Sequence, residues 1–170
     1  MHSKYFFPFI LNSDFFPGIR ARFVDTTSSI ALSDRVVLGD ATESGLYRFA
    51  ASSLSDFDSL GDKYPKVLEV PFNSETKWHL SIHKKSHASG VLTLYMKGAP
   101  ERVLKACSTI LVNGGNSTPL NEKEKASFLS TYEWMSSQGH RVLAFAKLEL
   151  NGNDFPEDFL FDKRTKNFPV

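Results

Sequence analysis

Residues 77–98 read KWHLSIHKKSHASGVLTLYMKG, and the fold turns on how they are taken. Trp78, Leu80 and Ile82 alternate with Lys77, His79, Ser81 and His83, so the period is two and the segment is a strand with one apolar and one polar face. Ser86–Gly90 supplies a turn, and 91–98 returns as the hairpin partner, bounded by Gly98. The alternation also decides the histidines. His79, His83 and His87 recur every four residues, which on a helix would suggest a metal face. On a strand, residues four apart stand about 13 Å from each other, so one ion cannot bridge them and solvated strand-face histidines are expected.

Outward from the hairpin, the punctuation is regular. GDATESGLYRFAASSL (39–54) opens a helix, with Asp40 as cap, Glu43 at capping-box spacing, and Leu46, Phe49, Ala50 and Leu54 turned to the core. KVLEVPF (66–72) is a short strand ending near Pro71. APERVLKAC (99–107) starts a helix with Pro100 in its first turn, where the missing N–H costs least. STILVNGG (108–115) is another strand. The longest helix lies in 120–139, with Asn121 and Glu124 at capping-box spacing and Gly139 as its stop. RVLAFAKLEL (141–150) is the last strand, and the phenylalanine-rich tail from Asn151 has little periodicity and is expected on the surface. The sum is an α+β domain: an antiparallel β-sheet with helices packed on its faces. Residues 1–20 are set apart as a leader or the remnant of a preceding core segment, and 21–170 as the domain.

Composition narrows the function. Of 170 residues, 20 are basic and 19 acidic, so no electrostatic footprint for nucleic acid exists. A single cysteine, Cys107, excludes an internal disulfide and a cysteine-based zinc site, and it is expected to pack on the helix after Pro100. No apolar run approaches the ~20 residues that span a bilayer, so no direct membrane insertion by this chain is expected. The aromatic opening is broken by Pro8 and lacks a small-residue cleavage site, unlike a secretory leader. Lys97–Gly98 has the wrong order and too few glycines for a Walker loop. Glu122 and Glu124 suit a charged helix start better than an acid–base pair. No nucleophile, base and oxyanion hole assemble. The residues describe a domain that binds rather than reacts.

GDATES, VPFNSETKWHLSIHK, MKGAPERVL and GHRVLAF occur in that order. With them, residues 36–170 resemble the nucleotide-binding domain of P-type cation-transporting ATPases, most like sodium/potassium-pump α subunits and related fungal-type pumps. The tail FPEDFLFDKRTKNFP is similar to the segment that returns to the family's phosphorylation domain, and ILNSDFF resembles a remnant of the helix that precedes the family's acidic motif.

The resemblance implies roles at particular positions. Glu43 matches the acidic residue near the adenine amino group, and Phe72 the aromatic that stacks on the base. Lys77 matches a lysine at the nucleotide, and is expected to share a strand face with His79, which stands where the pumps carry glutamine. Lys97 and Gly98 match the lysine at the bottom of the pocket and the glycine that admits the base. Arg141 matches the arginine reaching the phosphates, while His140 replaces an acidic residue. ATP is the implied ligand, with Mg²⁺ arriving only with the nucleotide, and the pump's phosphorylation domain is the implied partner at the cytoplasmic face of a membrane, the plasma membrane foremost. DKTGT, the aspartyl-phosphate motif, is absent. A truncated module that binds ATP without hydrolysing it is therefore expected. The alternative is an interaction or regulatory protein that keeps the fold without the nucleotide.

Overall fold

The computed structural model describes residues 5–7, 16–24, 30–55, 57–86, 91–111 and 116–169. Among the described residues are nine strands: β1 (Tyr5–Phe7), β2 (Arg22–Phe23), β3 (Val37–Leu38), β4 (Lys66–Val70), β5 (Trp78–Lys84), β6 (Leu92–Gly98), β7 (Thr109–Leu111), β8 (Ser117–Pro119) and β9 (Ala144–Glu149). Four α-helices accompany them: α1 (Ala41–Ser53), α2 (Leu60–Lys63), α3 (Pro100–Lys105) and α4 (Glu122–Ser137).

Seven strands form one sheet in the order β4-β5-β6-β9-β1-β7-β8, while β2 and β3 make a separate ribbon. The expected hairpin is its centre of gravity: β5 and β6 pair antiparallel from Trp78↔Gly98 to Lys84↔Leu92. The sheet is antiparallel except at one place, where β1 runs parallel to β7. Tyr5–Phe7 lies between β9 and β7, so part of the segment set apart as 1–20 belongs to the sheet itself. Of the expected turn at Ser86–Gly90, all but Ser86 lies outside the described residues, His87 included, as does most of ILNSDFF.

Alternation along β5, β6 and β9 sends Leu80, Ile82, Leu94, Met96, Ala146 and Leu148 into one large apolar cluster, capped by Val103 and Leu104 of α3. Phe128 of α4 packs against this cluster, yet no α4 residue is fully buried. Its capping box forms in full, Asn121 accepting from Lys123 and Glu124 N–H and Glu124 accepting from Asn121 N–H. The tail crosses the same face: Phe155, Phe159 and Phe161 pack on one another, and Phe168 goes deeper than a surface tail should, into the core.

The opposite face of the sheet corrects the hairpin's expected polarity. His79, Ser81 and His83 are each no more than 3% exposed. They are covered because the described residues between 16 and 64 fold over them: a 3₁₀ turn at Phe16–Gly18 rests on β5 and β6, and Ile19, Ala21, Ala50, Phe57 and Leu60 form a second cluster above it. In α1, Ala50 is buried and Leu46, Tyr47 and Ala51, with Leu54 at the C-cap, pack against this cluster. Phe49 does not. It is half exposed, because a stripe through 46, 47, 50, 51 and 54 leaves position 49 on the flank of the helix.

Candidate functional site

Where the second cluster meets the sheet, a cavity of about 260 Å³ opens, lined by Arg20, Gly39, Asp40, Glu43, Phe72 and His79. Helix α1 supplies one wall through its first turn. Asp40 caps the helix, its carboxylate accepting from Thr42 and Glu43 N–H, both at 2.9 Å. The capping box expected here is only half made. Glu43 does not return to the cap; its carboxylate accepts from Arg20 N–H at 2.7 Å and forms an ion pair with Lys97. A buried ammonium from β6 outbids a cap bond.

The sheet supplies the other wall. His79 and Lys97 are register partners across β5 and β6, so they point to the same face. Glu69 of β4 gathers three cations or donors: Arg20 Nε at 2.6 Å, Lys66 Nζ at 2.8 Å and His79 Nε2 at 3.2 Å. Burial opposes ionisation of Glu69, yet the bond and charge of Lys66, the His79 bond and Arg20 outweigh it and hold its pKa at about 2. His79 moves the other way, to about 4, because of burial and then the charge of Lys97, against which Glu69 and Glu43 pull only in part. The ring is therefore neutral near pH 7. An ionised carboxylate only accepts, so Nε2–H donates to Glu69. Lys97 is lowered by burial, and Glu43 offsets part of that.

Of the expected site residues, Glu43, Lys97, His79 and Phe72 come together. Phe72 follows β4 on an open loop and stays exposed while lining the cavity, unlike a core phenylalanine. Lys77 was expected on the strand face with His79, and is not. An Asx turn at Asn73, with Glu75 N–H on its side chain and Lys77 N–H on its carbonyl at 2.7 Å, turns Lys77 to a φ of 61° ahead of β5 and leaves it exposed. Gly98 serves the strand pairing. A Cβ there would stand 2.7 Å from Trp78 Cα, and the next N–H, of Ala99, donates to Lys77 O at 2.9 Å. Arg141 is exposed, and its Nη1 donates to Thr42 Oγ1 at 3.3 Å, beside the first turn of α1.

Three participants went unread as such in the sequence: Arg20, Glu69 and Asp40 as a wall. Arg20 carries no local signal, being remote in sequence from its partners. Glu69 does carry one, a carboxylate set between Leu68 and Val70 in β4, opposite Ser81 on the polar side of β5. Among the described residues no group of three or more His, Cys, Asp or Glu could hold a metal ion, and no helix is long and apolar enough to cross a membrane.

The chain matches the model of the P-type ATPase cytoplasmic domain N over residues 23–168 and belongs to that family. It is similar to the sodium/potassium-transporting ATPase subunit alpha of Tetronarce californica, with 42% identity over 151 residues, and to the potassium-transporting ATPase alpha chain 2 of Cavia porcellus, with 40% over 152. The sodium/potassium-transporting ATPase subunit alpha-2 of Rattus norvegicus is 41% identical over 151 residues. Each alignment covers 89% of this chain and 15% of the relative.

Proposed function

We propose that the cavity between α1 and β5–β6 takes the adenine of ATP, and that the chain acts as the nucleotide-binding module of a cation-transporting P-type pump. One observation carries this reading: a single cavity is lined by an exposed aromatic, Phe72, and by Glu43, which is paired with the buried Lys97. The cavity volume of about 260 Å³ lies below the usual range for a drug-sized ligand, so a base fits and a triphosphate does not. Charge agrees with that division. Asp40 and Glu43 line the cavity and the first-turn N–H groups of Thr42 and Glu43 are spent on Asp40, so phosphates are turned outward. Exposed Arg141, and Lys77 beyond the strand end, are the cations this reading assigns to them.

Phe72 stacks on the base, Glu43 accepts from its exocyclic amine, and Lys97 sits at the floor, with Gly98 keeping it in register and His79 behind it. Mg²⁺ enters with the phosphates as part of the substrate. The chain presents ATP to the pump's phosphorylation domain at the cytoplasmic face of the membrane. It leaves ATP intact on its own, because it carries no aspartyl-phosphate motif. Without a phosphate cradle, affinity is weak, with a Kd on the order of 0.1–1 mM.

A titration with ATP, AMP and GTP, followed by NMR, tests this. ATP and AMP binding weakly, GTP more weakly still, and Lys97→Ala and Phe72→Ala silent but folded, is the expected pattern. No binding to the folded wild-type chain overturns it and favours a protein partner.

A further inference from the structure

The two apolar clusters divide by sequence as well as by space. Every residue of the smaller lies between Ile19 and Tyr64, whereas the larger is drawn from Leu68 to Phe168. Within the smaller unit the cross-links are its own: the Arg48 guanidinium donates to the carbonyls of Leu32, Ser33 and Arg35, and Phe23, Tyr47 and Phe57 meet edge to face.

Between the clusters runs a polar row, His79, Ser81 and His83 on β5 with Tyr95 and Lys97 on β6, all buried. His79 Nδ1, Ser81 Oγ and His83 Nε2 have no partner among the described residues. A seam of this kind adheres poorly, because burying an unpaired polar atom costs free energy that an apolar contact would not. Gly18 presses on it, with room for a Cβ only 3.4 Å from Tyr95 Cβ. Polar ties along its rim hold it shut: Glu43 to Lys97, Arg20 to Glu69, His83 Nδ1–H to Tyr64 O at 2.8 Å, and Ser86 Oγ–H to Asp62 O at 2.7 Å. The cavity opens onto this seam, with Arg20, Gly39, Asp40 and Glu43 on one side and Phe72 and His79 on the other.

We infer that the described residues between 16 and 64 (16–24, 30–55 and 57–64) open from the sheet as one cooperative unit, and that ATP, by touching both sides of the seam, holds the unit closed. The first clause stands on the packing alone; the second rests on the nucleotide reading above. Contiguous segments with their own core are the units in which native proteins open. A ligand that binds only the closed form slows opening by the factor 1 + [L]/Kd.

Hydrogen exchange followed by mass spectrometry on the whole chain tests both clauses. Without ligand, amides of α1 are expected to exchange together, about tenfold or more faster than those of β5 and β6. With ATP at ten times its titrated Kd, α1 should slow by roughly tenfold, while β5 and β6 change less. Ser81→Ala removes an unpartnered hydroxyl from the seam and should slow α1 by about fivefold in the free chain. Exchange of α1 and the sheet at one common rate, or faster α1 exchange in Ser81→Ala, overturns opening as a unit. ATP that binds by titration yet leaves α1 unprotected overturns the clamp. A chain that binds no ATP overturns the clamp together with the nucleotide reading, and the free-chain rates still decide the opening.

Discussion

Glu43 of α1 and Lys97 of β6 meet as an ion pair across the seam, with side chains only 14% and 6% exposed. Two charges so placed have lost most of their hydration, and each is tolerable only because the other is there. Lys97→Met should therefore destabilise the domain by about 3 kcal/mol, since Glu43 is left with Arg20 N–H alone. Glu43→Gln combined with Lys97→Met should recover most of that loss. Urea unfolding of the two singles and the double gives the coupling, and simple additivity would show that the pair contributes nothing as a pair.

The buried histidines set a pH dependence whose sign is fixed. His79 and His83 both titrate near 4 in the folded chain, against 6.5 for an ordinary imidazole, chiefly because burial disfavours their charged forms. Between those values the unfolded chain binds more protons than the folded one, so stability is full above about pH 6.5 and falls as the pH drops toward 4. Each ring is worth on the order of 3 kcal/mol over that window. Glu69, held at about 2, extends the loss below pH 4.5. Urea unfolding at a series of pH values should show the decline, and His79→Gln should flatten it by about half between pH 6.5 and 4.

These histidines also mark where sequence reading stops. Period two located β5, β6 and their pairing because alternation is a local property of the chain. It could not say that both faces would be covered: α1 within the cover announces itself by its cap and periodicity, but no local pattern says which face of the sheet it will pack over. For the same reason Glu43 announced a capping box and delivered an ion pair: the cap partner is three residues away, while Lys97 approaches only through the tertiary fold. Lys77 was misplaced by one element, since an Asx turn at Asn73 overrides the alternation that begins one residue later. Glu43, Phe72, His79 and Lys97 were legible together through the ordered motifs, whereas Arg20 and Glu69 needed the seam to become visible.

Gly98 offers a test of that local architecture. Its missing side chain is filled by the backbone of Lys77 and Trp78, with Trp78 Cα 2.7 Å from where a Cβ would stand. Backbone in a paired strand has little room to give. Gly98→Ala should cost at least about 2 kcal/mol and loosen the Ala99 N–H to Lys77 O bond. Thermal unfolding reads the first effect and exchange of the Ala99 amide the second. A fully stable Gly98→Ala protein would mean that the start of β5 is not packed as described.

Phe72 separates binding from stability most cleanly. Its ring is 57% exposed and belongs to neither apolar cluster, so Phe72→Ala should change unfolding free energy by no more than about 0.5 kcal/mol. A stacked base, by contrast, is worth ~1–3 kcal/mol to alanine substitution, which is roughly a 5- to 150-fold loss of affinity for ATP. Phe72→Trp keeps a larger ring face and should retain binding. The loss should be equal for ATP and AMP, because in the proposed site the ring meets the base and the phosphates fall to Arg141. Isothermal titration on the three proteins distinguishes the cases: a Phe72→Ala chain that unfolds early places the ring in the core after all, and one that binds ATP unchanged removes stacking from the site.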